Sequence, residues 1–379
     1  VGSADPAAEL TPTAAAVLAA VPAWWSTRAA EAGLEGRWLD VHWAVGAAPP
    51  LTLGEEHPPL EDSWGPLGPN ELGAAYVASL DSGVRARHGR HYTPAALAEQ
   101  LWEMTRAALG HRHYGLALRG MVRDPACGAG ALLLPVLREH LASSWQVDPA
   151  LVLAGLPALV EGIDADPAAV WVANVVLAAE MLPTLARVPE SRRRTLPALA
   201  RVGDGLAEAE PAWAVLMNPP YGRVRLSPHD RERFSEVLYG HANLYGVFMA
   251  ASHQNLAENG VLAALVPTSF TAGRYFEPLR RVLTTSSRLH SIRFVEDRSG
   301  VFGSVLQETC MAVFTRSKIR KTRVTSTGSR VSEIAKVATP TGGAPWLLPR
   351  RADLAPIAAS AAALPARLSE LGWKVSTGP

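Results

Sequence analysis

The sequence is poor in cysteine and has no excess of either charge. Its 379 residues contain only two cysteines, Cys127 and Cys310, which are too few for a disulfide framework or a cysteine-rich metal cluster. We therefore expect a reducing, cytoplasmic setting and no zinc site. The 36 Lys and Arg residues nearly balance the 35 Asp and Glu residues. Any contact with nucleic acid must therefore come from local basic patches and not from a positive net charge of the whole protein.

A long hydrophobic run is missing from the N-terminal region. The Ala-rich stretch before "VPAWW" has no cationic lead-in, and Pro22 interrupts it well short of a membrane span. The sequence therefore predicts no association with a membrane. Residues 13–39 favour one or two helices, and the Pro- and Gly-rich stretch after them favours a connector.

Apolar strands and helices alternate from Pro94 onward. The pattern predicts strands near residues 121–123, 159–163, 214–217, 261–266, 292–295 and 309–314, with helices between them. Such alternation is typical of an α/β fold in which helices cover both faces of a mostly parallel sheet. Ligands of these sheets bind at the carboxyl ends of the strands, so the candidate functional residues are those that follow the strands.

The loop after the first of these strands is rich in glycine. It reads "DPACGAG", from Asp124 to Gly130. Glycines there let the backbone approach a ligand closely and present N–H groups at the start of a helix, although such a turn also arises for steric reasons alone. The loop lacks the pattern Gly-x-Gly-x-x-Gly, which argues against an NAD-dependent oxidoreductase.

Carboxylates follow the next two strands. Asp164 ends the segment "LVEGID", in the position that holds a ribose diol in Rossmann-like folds. Asp166 is better explained as the cap of the helix that follows it. Asp204 lies between two glycines after a short predicted strand. It is compatible with an ordinary turn residue and with an acceptor for the amino group of a bound adenine.

The strand at residues 214–217 runs directly into Asn218-Pro219-Pro220-Tyr221. Two prolines end a strand and fix the direction of its last carbonyl groups. If the substrate atom is an aromatic amino nitrogen, the Asn218 side-chain oxygen and the Pro219 carbonyl oxygen would accept its two hydrogens and free its lone pair. Tyr221 would offer a flat face to the base. On its own, the tetrapeptide is better explained as a turn that ends a strand.

In combination, these motifs resemble those of the S-adenosylmethionine-dependent DNA adenine-N6 methyltransferases of the gamma class, found in restriction-modification and phage-defence systems. The resemblance covers about residues 89–314. It implies an α/β, Rossmann-like class I methyltransferase fold with a mostly parallel seven-stranded sheet and a small N-terminal helical region.

The resemblance also implies a division of the chain. Residues 1–75 would form the N-terminal helical region with a Pro- and Gly-rich linker, and residues 76–316 the methyltransferase domain. Residues 317–379 would form a basic linker and the start of a target-recognition region, which looks truncated after "LGWKVSTGP". The basic segment after Thr315 favours a solvated linker, with a phosphate-contacting strip as the alternative.

The same resemblance assigns roles to residues. Asn218, Pro219, Pro220 and Tyr221 would form the catalytic turn. Thr93, in the segment "GRHYTP", would bind the methionine end of the cofactor. The full set that it implies for binding S-adenosylmethionine is Thr93, Asp124, Ala126, Gly128, Gly130, Asp164, Asp204, Asn218 and Pro220. Phe302 would stack on an extruded adenine opposite Tyr221, although a phenylalanine in that segment is also explained as core.

The implied reaction is methyl transfer from S-adenosylmethionine to N6 of adenine in a specific double-stranded DNA sequence. The target base is flipped out of the helix, and neither a metal nor a covalent intermediate is needed. DNA is the expected partner, with a restriction or defence protein as a further option. Two alternatives stay open: a methyltransferase that acts on RNA or on a protein glutamine, and a non-catalytic subunit of a defence complex with the same fold.

Overall fold

The structure is a computed structural model of the chain. It describes residues 11–47, 67–81, 92–110, 115, 117–240, 242–296, 308–328, 330–364 and 371–372. Phe302 and the first three residues of the "GRHYTP" segment lie outside the described residues, so their predicted roles stay predictions.

Helices and strands alternate along most of the described chain. The α-helices are α1 (Pro12–Glu31), α2 (Val41–Ala44), α3 (Pro69–Ser79), α4 (Ala95–Ala108), α5 (Leu133–Ser143), α6 (Pro149–Gly155), α7 (Pro167–Ala186), α8 (Pro228–Arg233), α9 (Leu244–Gln254), α10 (Glu277–Ser286) and α11 (Ala355–Ala362). The strands are β1 (Val122–Asp124), β2 (Val160–Asp164), β3 (Ala200–Val202), β4 (Ala212–Met217), β5 (Arg223–Val224), β6 (Ala242–Asn243), β7 (Leu256–Pro267), β8 (Arg288–Val295), β9 (Thr309–Thr315), β10 (Lys321–Thr327) and β11 (Val331–Ala338). Short 3₁₀ turns lie at Gly36–Leu39, Leu156–Ala158, Glu190–Arg192, Ser235–Val237, Thr268–Thr271, Arg274–Phe276 and Ala352–Leu354.

Nine strands form one sheet in the order β11-β10-β8-β9-β7-β4-β1-β2-β3. Neighbouring strands are parallel except where β9 pairs with β7 and β8 and where β11 pairs with β10. The seven strands from β8 to β3 are the seven-stranded, mostly parallel sheet that the sequence predicts, and β10 and β11 extend one edge. The predicted class of fold is therefore confirmed. A separate two-stranded ribbon pairs β5 with β6.

The sequence predicts a linker after Thr315, and this prediction is wrong for the segment that forms β10 and β11. β10 pairs with β8, and β11 pairs with β10. At the start of β10, Thr322 and Val324 are buried while Lys321 and Arg323 are exposed, which is the alternation of a strand with one face covered. Threonine and valine favour strands, but the charged residues between them hide that preference. At the other end of the domain, the predicted boundary between residues 75 and 76 falls inside α3.

The core lies on both faces of the sheet, as the sequence predicts. In β4, Ala214 and Leu216 belong to one apolar cluster, and Val215 and Met217 belong to the other. The first cluster includes residues of α1, α3, α4, α5 and α7. The second includes residues of α9 and α10. Because side chains alternate along a strand, this central strand is apolar at every one of these positions.

Helix α7 joins the N-terminal helices to the sheet. It is apolar enough to span a membrane by length and composition, but 89% of its most apolar window is buried inside the fold, so it is a core helix. α1 and α3 pack against it. In addition, the Tyr76 hydroxyl on α3 donates to the carboxylate of Asp166, which caps α7. The N-terminal helices therefore pack on the core of the sheet.

Candidate active site

The carboxyl ends of three adjacent strands form the site. Asp124 is the last residue of β1, Asp164 is the last residue of β2, and Asn218 directly follows β4. β1 lies between β2 and β4, and both pair with it in parallel. The chain thus turns from one half of the sheet to the other at this point, which is where open α/β sheets bind their ligands.

Asp124 is a buried carboxylate, with only 1% of its surface exposed. Its Oδ1 accepts a hydrogen bond from the Ala126 N–H at 3.1 Å. Burial, aided by the nearby charge of Asp164, nevertheless raises the pKa of Asp124 to about 8. Near neutral pH the carboxyl group therefore keeps its proton, and a cation placed beside it would drive the proton off.

Asp164 ties the loops after β1, β2 and β3 together. Its Oδ2 accepts a hydrogen bond from the Gly128 N–H at 2.8 Å, and its Oδ1 accepts one from the Asp166 N–H at 2.9 Å. Its backbone carbonyl accepts another from the Gly203 N–H at 2.9 Å. This structural role is one that sequence reasoning missed. Asp166, in turn, accepts from the Ala168 N–H at 2.9 Å, in agreement with the helix cap that the sequence predicts.

Three glycines show why the loops after β1 and β3 need residues without a side chain. Gly128 has a φ of +49°, and a Cβ there would meet no atom within 4 Å. The backbone therefore borders open space at this point. Gly205, in the loop after β3, approaches so closely that a Cβ would lie 1.8 Å from the Pro125 carbonyl oxygen. Gly130, with a φ of +85°, packs against Ala173 of α7.

Asn218 connects the predicted catalytic turn to the predicted cofactor segment. Its Nδ2 donates to the Thr93 Oγ1 at 3.0 Å, across 125 residues of sequence. Thr93 is buried, with 4% of its surface exposed. The half-buried Asn218 amide is therefore held from its nitrogen side, which directs its Oδ1 away from Thr93. Pro219 is buried and Pro220 is half-buried.

Tyr221 points its hydroxyl back into this turn. Its Oη lies 3.1 Å from Asn218 Oδ1 and 3.1 Å from the Leu265 carbonyl oxygen. The ring meets Tyr245 edge to face, with 6.1 Å between the ring centroids. Burial raises the pKa of Tyr221, so the hydroxyl keeps its proton and acts as a donor. In this arrangement Tyr221 occupies the acceptor that the sequence assigns to an adenine amino group.

Asp204 is exposed, and its Oδ1 accepts from the Leu206 N–H at 2.9 Å. It is thus a turn residue in this structure, next to Gly205, which approaches Pro125.

Sequence reasoning also missed a contact behind the site. Tyr92 donates its hydroxyl to Asn70 of α3 at 3.2 Å, and its ring lies where a side chain at Gly73 would stand. Tyr92 directly precedes Thr93, and that adjacency was the only signal available for it.

Neither cysteine is suited to act as a nucleophile. Burial, together with the charges of Asp164 and Asp124, raises the pKa of the Cys127 thiol. Burial raises the pKa of Cys310 to about 12. Both thiols are therefore protonated at neutral pH, and only the thiolate is reactive. Within the described residues, no group of three or more His, Cys, Asp or Glu side chains could hold a metal ion.

Part of the chain resembles known proteins. Residues 212–302, which begin with β4 and include the predicted catalytic turn, match the family model of the Eco57I restriction-modification methylase. The type II methyltransferase M.PstI of Providencia stuartii is 28% identical over 178 residues, which are 43% of this chain and 35% of that protein. The chain is thus similar to restriction-modification methyltransferases over part of its length. The match spans about a third of the length of that curated relative.

Solved structures show the same fold. The type IIG restriction endonuclease BpuSI superposes with a TM-score of 0.60 at 17% identity, over 85% of this chain and 40% of that one. The type IIL restriction-modification enzyme MmeI, in complex with DNA, superposes with a TM-score of 0.51 at 16% identity, over 73% of this chain and 43% of that one.

Proposed function

We propose that this chain is a methyltransferase that transfers a methyl group from S-adenosylmethionine to N6 of adenine in double-stranded DNA. It would act in the cytoplasm as the modification component of a restriction-modification or phage-defence system. The observation that carries the proposal is the contact between Asn218 and Thr93. It joins the turn that would hold the amino group to the segment that would hold the methyl donor. MmeI was solved in complex with DNA, which supports DNA as the substrate and leaves a restriction or defence protein as a further proposed partner.

The residues around the strand ends fit S-adenosylmethionine. The open space beside the Gly128 backbone leaves room for a ligand to approach. The buried Asp124, whose pKa is raised to about 8, is suited to a cationic group such as the ammonium of the methionine end, and Thr93 would bind the same end. Asp164 would hold the ribose, and Asp204 would accept from the adenine amino group of the cofactor. The backbone at Ala126, Gly128 and Gly130, together with Pro220, would line the rest of the cofactor site. When bound, the cofactor supplies an electrophilic methyl group.

The chain's own residues would prepare the amino nitrogen. With the target adenine flipped out of the duplex, Asn218 Oδ1 and the Pro219 carbonyl oxygen would accept its two N6 hydrogens. This arrangement favours a tetrahedral nitrogen with its lone pair directed at the methyl group. The Tyr221 hydroxyl must first leave Asn218 Oδ1, after which the ring can stack on the base. Phe302 would supply the opposite face.

The test is a map of methylated bases in living cells. DNA from cells that express the chain, or a longer protein that contains it, is read by single-molecule sequencing. We expect N6-methyladenine at one sequence motif and its loss in the Asn218→Ala variant. Asn255→Ala is the matched control, because Asn255 lies at the end of α9 and its side chain donates to the Ala207 carbonyl oxygen at 3.3 Å, away from the proposed catalytic turn. Methylation confined to RNA or to protein would contradict the proposal.

A further inference from the structure

A second pocket lies beside the candidate active site. It is a shallow pocket between the 3₁₀ turn Ser235–Val237, α9 and the start of α10, and its empty volume of about 300 Å³ includes open solvent. Tyr239, Asn243, Tyr275 and Phe276 are among its lining residues. None of these residues has a role in the proposed transfer of the methyl group.

Two exposed tyrosines form the rim of this pocket. Tyr239 is 45% exposed and Tyr275 is 59% exposed, and their ring centroids lie 5.8 Å apart. The guanidinium carbon of Arg274 lies over the Tyr239 ring, 5.6 Å from the ring centroid. Exposed aromatic rings beside an arginine are typical of surfaces on which nucleobases stack.

A buried acceptor lies in the wall of the same pocket. Asn243 Oδ1 is buried and has no hydrogen-bond partner among the described residues. Asn243 is the residue before α9, yet its side chain does not cap that helix. An unpaired buried acceptor is costly to folding, and an N–H group of a ligand would satisfy it. The edges of nucleobases carry such groups, and asparagine side chains read them.

The charge around the pocket suits a phosphate backbone. Arg223, Arg225, Arg231 and Arg274 are exposed, and within the described residues none of them forms an ion pair. Arg223 is paired with Asn243 across the β5–β6 ribbon. Residues directly opposite each other in an antiparallel pair place their side chains on the same face, so this arginine lies on the side of the pocket.

The pocket is close to the catalytic turn. Tyr221 contacts Tyr245, and Tyr245 stacks on Phe276 with 5.1 Å between their ring centroids. Phe276 is itself a lining residue of the pocket. One aromatic ring, that of Tyr245, therefore separates Tyr221 from the wall of the pocket, and a base bound there would lie near a base held at the proposed catalytic turn.

We propose that this pocket binds an unpaired nucleobase of the DNA substrate, next to the target adenine. The base stacks on the ring of Tyr275, contacts the edge of the Tyr239 ring, which lies at 60° to it, and donates an N–H group to Asn243 Oδ1, while Arg231 and Arg274 contact the phosphates beside it. The proposal rests on the proposed function, because it names a second contact of the same substrate.

The test measures the affinity of the 379-residue chain for a labelled single-stranded oligonucleotide by fluorescence anisotropy. We expect Tyr275→Ala and Tyr239→Ala each to weaken binding roughly tenfold, because stacking on a base is lost, while Tyr275→Phe keeps the wild-type affinity. An oligonucleotide of abasic sites should bind all of these proteins equally weakly. Arg274→Gln should lower the slope of log K against log salt by roughly 0.7, since one phosphate contact is removed.

The Asn243→Leu variant tells whether Asn243 contacts the ligand or only supports the fold. It removes the buried unpaired acceptor, so the thermal unfolding temperature should stay the same or rise, whereas oligonucleotide binding should weaken. Trp145→Ala is the matched control for the tyrosines. Trp145 is 60% exposed, and the guanidinium of Arg187 lies 3.7 Å from its ring, so it is a similar aromatic and arginine pair outside the pocket.

The proposal is overturned if Tyr239→Ala and Tyr275→Ala bind the oligonucleotide as tightly as Trp145→Ala does. It is also overturned if they lose the same factor on the abasic oligonucleotide, or if the chain binds no oligonucleotide. Calorimetry with S-adenosylmethionine on the same proteins keeps the two proposals apart. If the chain binds the cofactor but the tyrosine substitutions do not weaken oligonucleotide binding, the proposed function stands and the proposal for this pocket fails.

Discussion

The Tyr221 hydroxyl and the Asn218 side-chain oxygen lie 3.1 Å apart, so two residues of the proposed catalytic turn satisfy each other. The same hydroxyl lies 3.1 Å from the Leu265 carbonyl oxygen. It therefore has a second acceptor available when Asn218 turns to a substrate. A base that enters the turn must compete with one hydrogen bond, whose net worth is about 1 kcal/mol.

Tyr221→Phe should remove that competition and keep the aromatic ring. We expect its kcat/KM for methyl transfer to stay within a few-fold of the wild type or to rise. Tyr221→Ala should lower kcat/KM by roughly 10- to 100-fold, because stacking of a base on an aromatic ring is worth about 1–3 kcal/mol. Transfer of a radioactive methyl group to DNA measures both. Equal losses in the two variants would show that the hydroxyl, and not the ring, is what the reaction uses.

Thr93→Val should loosen the Asn218 amide. Thr93 Oγ1 accepts from Asn218 Nδ2 at 3.0 Å, and valine keeps the shape of the side chain but offers no acceptor. We expect kcat to fall by roughly 2- to 10-fold, in line with about 0.5–1.5 kcal/mol for a hydrogen bond. Thr93→Ser, which keeps the hydroxyl, is the matched control. If Thr93 serves only the cofactor, Thr93→Val will raise the KM for S-adenosylmethionine and leave kcat unchanged.

The sequence predicts the strands, and the candidate residues that follow them, better than it predicts the contacts between side chains. Strand β4 could be located because four apolar residues precede Asn218 and two prolines end it. β10 could not, since Lys321 and Arg323 alternate with the buried positions and give the segment the composition of a linker. The role of Asp164 as an anchor for Gly128 was also out of reach, because it depends on how two loops meet after the sheet has formed.

The pocket beside the site was likewise invisible in the sequence. Tyr239 follows the 3₁₀ turn Ser235–Val237 and Tyr275 directly precedes the last residue before α10, and the packing of that turn against α10 accompanies the 5.8 Å distance between their ring centroids. In the same way, the sequence gives no sign that Asn243 Oδ1 lacks a partner. The spacing of apolar residues along the sequence predicts which face of a helix or strand is buried. The hydrogen-bond partner of a single polar atom is instead decided by the tertiary structure.

Stability should depend on pH through Asp124. Burial raises the pKa of this carboxyl from its usual 3.8 to about 8 in the folded chain. Between these values the folded chain binds the proton and the unfolded chain does not, so the free energy of unfolding should fall as the pH rises from about 4 to 8. Asp124→Asn should flatten this slope. Urea unfolding at pH 5, 7 and 9 measures it, with Asp353→Asn as a control at an exposed position.

The same proton should be released when a cation binds. If the ammonium of S-adenosylmethionine lies beside Asp124, it lowers the carboxyl pKa, so binding at pH 7 expels a proton. Calorimetry in two buffers of different ionisation enthalpy counts that proton. Affinity should then rise between pH 6 and 8 in the wild type but not in Asp124→Asn. A binding enthalpy that does not depend on the buffer would place the ammonium elsewhere.

Tyr76→Phe should show whether the N-terminal helices support the cofactor loops. The Tyr76 hydroxyl, on α3, donates to Asp166 at 3.0 Å, and Asp166 caps α7 two residues after Asp164. Loss of one buried hydrogen bond to a carboxylate should lower the free energy of unfolding by about 1.5–3 kcal/mol. Tyr239→Phe removes a hydroxyl from an exposed ring and should change it by less than about 0.5 kcal/mol. If Tyr76 also positions the loop after β2, Tyr76→Phe will weaken cofactor binding at temperatures where the chain is still fully folded. An unchanged affinity together with the loss of stability would restrict α3 to a structural role.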